Sequence, residues 1–449
     1  MVIDFARDIS LNYEEVVTER KLDSLREKML EEDPCLLQHD FRTKIDKILK
    51  SPLYKCLYRM PKPAIHHLHM TATVSTDFLL ELTYDWRVLY SKTDNLFKVS
   101  ADENFSQPGY IRVSKLRNYW KDAQEFDDML KHKMSLRPAH NHREDHKIWE
   151  DFQYKFSLTF ELYSYKHFFE KILYRAMKDY IKEQSTIVEI RHIFGCLFND
   201  EGPVSLEDEL KLFEDMQKNI QNFTPLFQMR LIATGLKIVG RDQIKSQLEL
   251  LERAVKISPL VSGFDLVCEE DYNDGIESFL DLLLDYKQRL GPNFQFYLHA
   301  GESNSRHNTE LFDAILLGTK RIGHGFNLIM HPHLIEEVKK KNICIECCPT
   351  SNLLLCYCHD LRTHPVRSLL SHGVAVSISP DDPGFFDSPG VTLDYVVAYL
   401  AWGLDLGDLK KLALNSLEHA SISESEKVKT RQYFEHSWTK FCRYVRGRF

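Results

Sequence analysis

Eight short apolar runs, each closing on polar residues or glycine, constrain this 449-residue chain more than any other feature. They cover residues 64–70, 186–192, 228–234, 260–268, 293–301, 321–325, 342–349 and 373–382. Most are near-continuously apolar and do not alternate, the pattern of strands buried on both faces. Segments with helical spacing separate the later runs, for example Ile276, Phe279, Leu280, Leu283 and Leu284. Eight strands alternating with helices predict an α/β fold, a (β/α)8 barrel, in which chemistry sits at the C-terminal strand ends.

A bare barrel needs about 250 residues, so the rest of the chain must lie elsewhere. Residues 1–60 read as a helical arm. Leu22, Leu25 and Met29 form one apolar stripe, and Phe41, Ile45, Ile48 and Leu49 another, with Asp40 as the expected N-cap. Pro61 and Pro63 end the helical pattern. The gap between the first two runs is far longer than one helix requires. Residues 84–146 mix polar residues with Trp86, Tyr110, Trp120 and a His/Asn/Arg cluster around 140–146, and residues 149–183 read as one long aromatic helix. The expected organisation is therefore an arm over 1–60, a barrel over 61–83 and 147–449, and an insert over 84–146 at the barrel mouth. A C-terminal stripe of Phe434, Trp438 and Phe441, with Arg443 and Arg446, predicts a helix packed on the barrel.

Composition excludes several classes. Hydrophobic residues at 43% and charged residues at 28% place the chain among globular proteins. With 58 Lys+Arg against 66 Asp+Glu it offers no basic footprint for nucleic acid or an anionic membrane. No run approaches the ~18 uncharged apolar residues of a spanning helix. The opening MVIDFARDISLNYEEVVTERK lacks the basic and apolar regions of a signal peptide, and ten cysteines are too sparse for a disulfide scaffold. These features predict a cytoplasmic chain with reduced thiols, without nucleic-acid or membrane partners.

The strand ends carry the chemistry. In His67-Leu68-His69 the period-two geometry of a strand turns both imidazoles to one face, and His66 to the other. His299-Ala300-Gly301-Glu302 adds an imidazole and a carboxylate, His324 ends the sixth run, and Asp381-Asp382-Pro383 ends the eighth. Three histidines and a carboxylate can hold a divalent metal and leave a position for water, whose pKa then falls from 15.7 to about 7. Asp381 can ligate and take the water proton, His324 can orient the hydroxide, and a protonated Glu302 can act as general acid. That is hydrolytic attack on an aromatic or carbonyl carbon. Trp149 can stack on a base near the mouth or simply join the core. In Cys344-Ile345-Glu346-Cys347 the odd spacing puts the sulfurs on opposite faces of a strand, which argues against a redox pair.

The motifs Met60-Pro61-Lys62 before His67-x-His69, His299-Ala300-Gly301-Glu302, Arg321-Ile322-Gly323-His324-Gly325-Phe326, Cys348-Pro349-x-Ser351-Asn352 and Ser379-x-Asp381-Asp382-Pro383 resemble the adenosine deaminase family. Val188-Glu189-Ile190-Arg191, Gly263-Phe264-Asp265-Leu266-Val267, Glu125-Phe126-Asp127-Asp128 and the long insert look like its adenosine deaminase-related growth factor branch. The resemblance spans roughly residues 55–445. It implies one Zn²⁺ per chain on His67, His69, His299 and Asp381, with Glu302 protonating purine N1 and His324 positioning the attacking hydroxide. It also implies substrate contacts from Asp382 to N7 and from the backbone N–H of Cys268 to N3, with Gly301 a further candidate. The insert resembles a receptor-binding domain, and residues 1–60 resemble a segment that supports a homodimer.

Departures from the family pattern carry their own expectations. Met70 and Thr71 stand where the family has a ribose-facing Asp, and Cys268-Glu269 replace its usual Gly-His. The branch is secreted and has a disulfide in its insert, whereas this chain has no cysteine between Cys56 and Cys196. The leading expectation is deamination of adenosine and 2′-deoxyadenosine. The alternatives are a deaminase of a 5′-modified adenine nucleoside, such as a 5′-thio derivative, and a non-catalytic growth-factor-like binding protein.

Overall fold

Runs that are apolar on both faces must be covered on both faces, and they are. The computed structural model describes residues 5–38, 41–136, 145–292 and 294–448. Eight parallel strands line its centre: β1 Ala64–Ile65, β2 Ile187–His192, β3 Gln228–Leu236, β4 Val261–Val267, β5 His299–Ala300, β6 Arg321–His324, β7 Cys344–Cys347 and β8 Val376–Ile378. They form two four-stranded sheets ordered β1-β2-β3-β4 and β5-β6-β7-β8. Two seams join the sheets. At one, Phe264 pairs with Phe296, and Tyr297 N–H donates to the Phe264 carbonyl at 3.0 Å. A side chain at Gly263 would place its Cβ 2.4 Å from the Gln295 carbonyl, so this close approach requires glycine. At the other seam Leu68 pairs with Asp381, and Asp381 N–H donates to the His67 carbonyl at 3.2 Å. Neighbour order therefore equals chain order and the ring closes, as the eight runs predict.

Helices cover the outside, among them Leu206–Gln221, Arg241–Ile257, Leu280–Leu290 and Leu406–Glu418. The arm helix Tyr13–Glu32 is capped by Asn12 and Glu15 in a reciprocal capping box. It packs along the C-terminal helix Glu424–Arg448, where buried Glu15 accepts from Trp438 Nε1 at 2.8 Å and Lys410 Nζ at 3.0 Å. Leu22 and Met29 are buried on that helix, as the stripe predicts. The expected cap Asp40 and most of the cluster at 140–146 lie outside the described residues.

Between β1 and β2, strands Val88–Ser91, Leu96–Val99 and Tyr110–Arg112 form an antiparallel sheet, followed by helices Val113–Tyr119 and Ala123–Met134. The single aromatic helix expected over 149–183 is two helices, Asp145–Ser164 and Lys166–Lys182. Tyr165 breaks it with an extended backbone, because its hydroxyl donates to Asp200 at 2.7 Å and accepts from Arg87 at 3.1 Å. Helical spacing cannot register such long-range partners. No described helix is long and apolar enough to cross a membrane.

The barrel interior below the site is charged. Arg321 on β6 donates to Glu189 on β2 and to Glu346 on β7, each at 2.6 Å. Arg191 on β2 donates to the same Glu346 at 2.7 Å and also to Asp265 on β4. All five side chains are buried. Removing one partner leaves an uncompensated buried charge, which costs far more than the intact pair contributes. Arg321→Met is expected to lower unfolding stability by about 3–5 kcal/mol in urea denaturation. A loss under about 1 kcal/mol, the range of surface pairs, would contradict this role.

Candidate active site

The extended backbone beyond β1 sends His66 outward and His67 and His69 inward. His66 is buried against Ser377 Oγ at 2.9 Å and the Ser416 carbonyl at 2.6 Å, a structural role. The His67 ring centroid lies 5.3 Å from that of His69, 4.5 Å from His299 and 4.8 Å from His324. Asp381, just past β8, places Oδ1 3.2 Å from His67 Nε2 and 3.3 Å from His69 Nε2, with Oδ2 3.8 Å from His324 Nε2. Glu302 Oε1 is 3.4 Å from His324 Nδ1. Residues from four separate strand ends thus converge.

Carboxylates behind the imidazoles decide which nitrogen faces the centre. His67 Nδ1 donates to Glu346 at 2.9 Å and His299 Nδ1 to Asp265 at 2.7 Å. Each Nε2 then faces the centre, the orientation of metal-bound histidines. His67 Nε2 and Asp381 Oδ1 are buried with no hydrogen-bond partner. Two groups of potential ligand atoms overlap here, one of His67, His299, His324 and Asp381 and one of His69, Asp381 and Asp382. Burial pushes His299 down to about 3 despite Asp265, so it is a neutral imidazole. His67 is drawn the other way: against its burial, Asp381 and Glu346 raise it above the usual imidazole range, so a cation there would compete with its second proton. Imidazole nitrogens and one carboxylate around orphaned buried atoms suit a Zn²⁺ ion.

His324 is oriented by a different chain of bonds. Val366 N–H donates to His364 Nδ1 at 3.2 Å, so the His364 proton sits on Nε2, which donates to Asn352 Oδ1 at 3.1 Å. The Asn352 amide nitrogen therefore faces His324 Nδ1, 3.2 Å away, and donates to it. The His324 proton is left on Nε2, pointing toward Asp381. This explains the asparagine of the Cys348-Pro349-x-Ser351-Asn352 motif in physical terms.

The turn bearing Glu302 is clamped from behind. One Glu270 oxygen accepts from Gly301 N–H at 2.8 Å and the other from Glu302 N–H at 3.0 Å. Gly301 has φ +76°, and a Cβ there would lie 2.4 Å from Asn327 Oδ1. Gly301 therefore shapes the turn behind the cavity wall, and its N–H is engaged by Glu270. Burial, then Asp381, Glu270 and Glu269, hold the Glu302 carboxyl well above the usual range. Burial and the adjacent Asp381 do the same to Asp382. Asp381 itself, despite burial, is held well below the usual range by His67, His69 and His324.

A cavity of about 480 Å³ opens onto these groups. His69, His299, Glu302, His324, Asp381 and Asp382 line it, as do Cys268 and Trp149. Trp149 lines the cavity, and its Nε1 donates to Tyr357 at 2.9 Å within a small aromatic core. Three non-glycine residues on the wall have left-handed backbones, namely Cys268 at φ 97°, His324 at φ 63° and Asp381 at φ 62°. Such strain concentrates at functional sites. Glu346, Asp265, Arg191 and Glu270 were missed as site residues. The signal for the first three was a charged residue inside an otherwise apolar run.

Residues 124–435 match the family model described as adenosine deaminase. The chain belongs to the adenosine deaminase family. That bears out the resemblance carried by the strand-end motifs, and it makes the protein a hydrolytic deaminase of a metal-dependent family. The adenosine deaminase of Lutzomyia longipalpis is 31% identical, over 97% of this chain and 89% of that protein. Adenosine deaminase 2-A of Danio rerio is 29% identical, over 97% of this chain and 90% of its own. Among solved structures, a cog1816 amidohydrolase from Burkhoderia ambifaria with bound Zn has a TM-score of 0.65 at 15% identity, covering 88% of this chain and 95% of that one. That likeness establishes the shared barrel fold.

Glu270→Gln replaces one acceptor by an amide that cannot receive an N–H. Losing a buried charge-assisted bond costs about 1–3 kcal/mol, so kcat is expected to fall about ten- to a hundredfold. KM and bound metal, read by titration and metal analysis, are expected to stay within about twofold. Unchanged kcat would show that the clamp does not position Glu302.

Proposed function

We propose that this protein hydrolyses the C6 amino group of adenosine and 2′-deoxyadenosine, giving inosine or 2′-deoxyinosine and ammonia. The observation that carries the reading is the buried Glu302, its carboxyl held well above the usual range, lining one cavity together with His69, His299, His324 and Asp381. In this reading His67, His69, His299 and Asp381 would hold one Zn²⁺ per chain, which would supply the Lewis acidity that brings the pKa of a water to about 7.

The protein's own groups then divide the work. Glu302 donates its proton to purine N1 as C6 accepts the attacking oxygen. His324 Nε2–H orients that oxygen, and Asp381 takes the proton the water gives up. Asp382, kept protonated, donates to N7, which can only accept. Cys268 N–H serves N3, at a position whose left-handed backbone is costly for cysteine. The proton on Asp381 passes to the exocyclic nitrogen, the C6–N bond breaks to release ammonia, and the proton of the C6 hydroxyl returns to Glu302 as the 6-oxo group forms.

The wider assignments belong to the same proposal. They are residues 1–60 as a segment supporting a homodimer, 84–146 as an insert resembling a receptor-binding domain, and a cytoplasmic location. Ten free cysteine thiols support a reducing compartment.

Purified protein with confirmed bound zinc is expected to deaminate both nucleosides in an ultraviolet assay. Absence of turnover of either would overturn the reading. Glu302→Gln is expected to lower kcat by about 10²–10⁴ while retaining metal, and His67→Ala to lose the metal. Equal metal loss in both variants would show the roles to be misassigned. A biological effect that survives Glu302→Gln would favour the non-catalytic binding reading.

A further inference from the structure

The cavity is strongly two-sided. Among the described residues, its acids, its one guanidinium and all its histidines but one belong to the strand-end cluster or the charged layer beneath it, and the exception, His192, is committed to Glu209 at 2.6 Å. Arg191, the only arginine or lysine among the lining residues, is committed to Asp265, Glu346 and the His66 and Tyr297 carbonyls. The remaining wall is largely apolar. Its prominent members are Met70, Phe156, Phe160, Leu236, Ile238 and Val239. Three of these line the cavity and yet stand open to solvent, with Phe160 42%, Ile238 51% and Val239 61% exposed. Phe160 lies on helix Asp145–Ser164 and the other two on the turn Lys237–Val239 after β3. Two separate elements therefore bring an apolar lip to the same opening.

We infer that this lip and wall form a subsite for an uncharged apolar group carried on the 5′ position of the nucleoside sugar. The inference rests on the deaminase reading, which places purine C6 at the strand-end cluster. With C6 at the floor, N9 and its sugar point away from the cluster toward the mouth. A 5′ substituent then meets Phe160 and Ile238. A 5′-phosphate there meets apolar side chains and no uncommitted cation among the described residues. Drawing a dianion against an apolar lip without a partner removes hydration that nothing replaces, whereas each methylene the lip covers is favourable by up to about fourfold in affinity.

The test is a homologous series on the zinc-loaded enzyme: adenosine, its 5′-O-methyl, 5′-O-ethyl and 5′-O-propyl ethers, and adenosine 5′-monophosphate. The expected result is kcat/KM rising by up to about fourfold per added CH₂, with the monophosphate poorer than adenosine. Calorimetric binding of the same series to Glu302→Gln gives a readout independent of turnover, with the same expected order. Phe160→Asp and Ile238→Asp are expected to lower the propyl-ether/adenosine ratio. A flat or falling series, a preferred monophosphate, or a ratio unmoved by both variants would overturn the subsite. Absent turnover of every compound, with the binding order retained, would instead overturn the deaminase reading and leave the subsite standing.

Discussion

The site depends on one interaction, the buried contact of Glu346 with Arg191, Arg321 and His67. A single carboxylate on β7 accepts from two guanidinium groups and from one imidazole. The arginines hold it well below the usual carboxylate range in spite of full burial. It therefore remains an acceptor, and His67 keeps a proton on Nδ1 and turns Nε2 toward the centre. Asp265 repeats the logic for His299, held down by that imidazole and by Arg191. The charged layer does two things at once. It ties β2, β4, β6 and β7 together below the site, and it sets the tautomers of two imidazoles above it. A purely hydrophobic filling of the barrel could match the first and not the second.

The same division explains why the wall changes character with height. Charges at the floor are tolerable because each has a partner or a proposed ion to face. Toward the mouth the chain offers Met70, Phe156 and Leu236 in place of further charge. This lowers the local dielectric and strengthens the electrostatics of the floor. Glu302 gains most, since its raised proton affinity comes first from burial and only then from neighbouring carboxylates. The wall is therefore part of the general acid's environment as well as a surface for substrate.

Much of this was legible in the sequence. Eight apolar runs located all eight strands, and His67, His69, His299, His324, Glu302, Asp381 and Asp382 stood at their ends because a barrel presents chemistry only there. The remainder was not legible for definite reasons. The seams at Phe264–Phe296 and Leu68–Asp381 are single pairings between distant segments. The break at Tyr165 is caused by Asp200 and Arg87, which no local period encodes. Glu346 looked like part of a Cys-x-x-Cys pattern, when the informative feature was a carboxylate in an apolar strand. Glu270 lies on the loop after β4, and only the folded chain brings it under the Glu302 turn.

Backbone strain completes the argument. His324 and Asp381 sit in the left-handed region, where residues other than glycine incur a cost of about 1–3 kcal/mol each. Both carry a side chain that glycine cannot supply, so the penalty is inseparable from the chemistry. Cys268 is different. Its proposed contribution is a backbone N–H, which glycine would provide without strain. The cost there brings no catalytic group, only a side chain on the cavity wall. A half-buried thiol, its pKa pushed up by desolvation, adds a surface beside Val267 and Leu236. The strain at Cys268 is thus consistent with a wall shaped for an apolar neighbour, and it links the one costly departure in the base-binding loop to the character of the mouth above it.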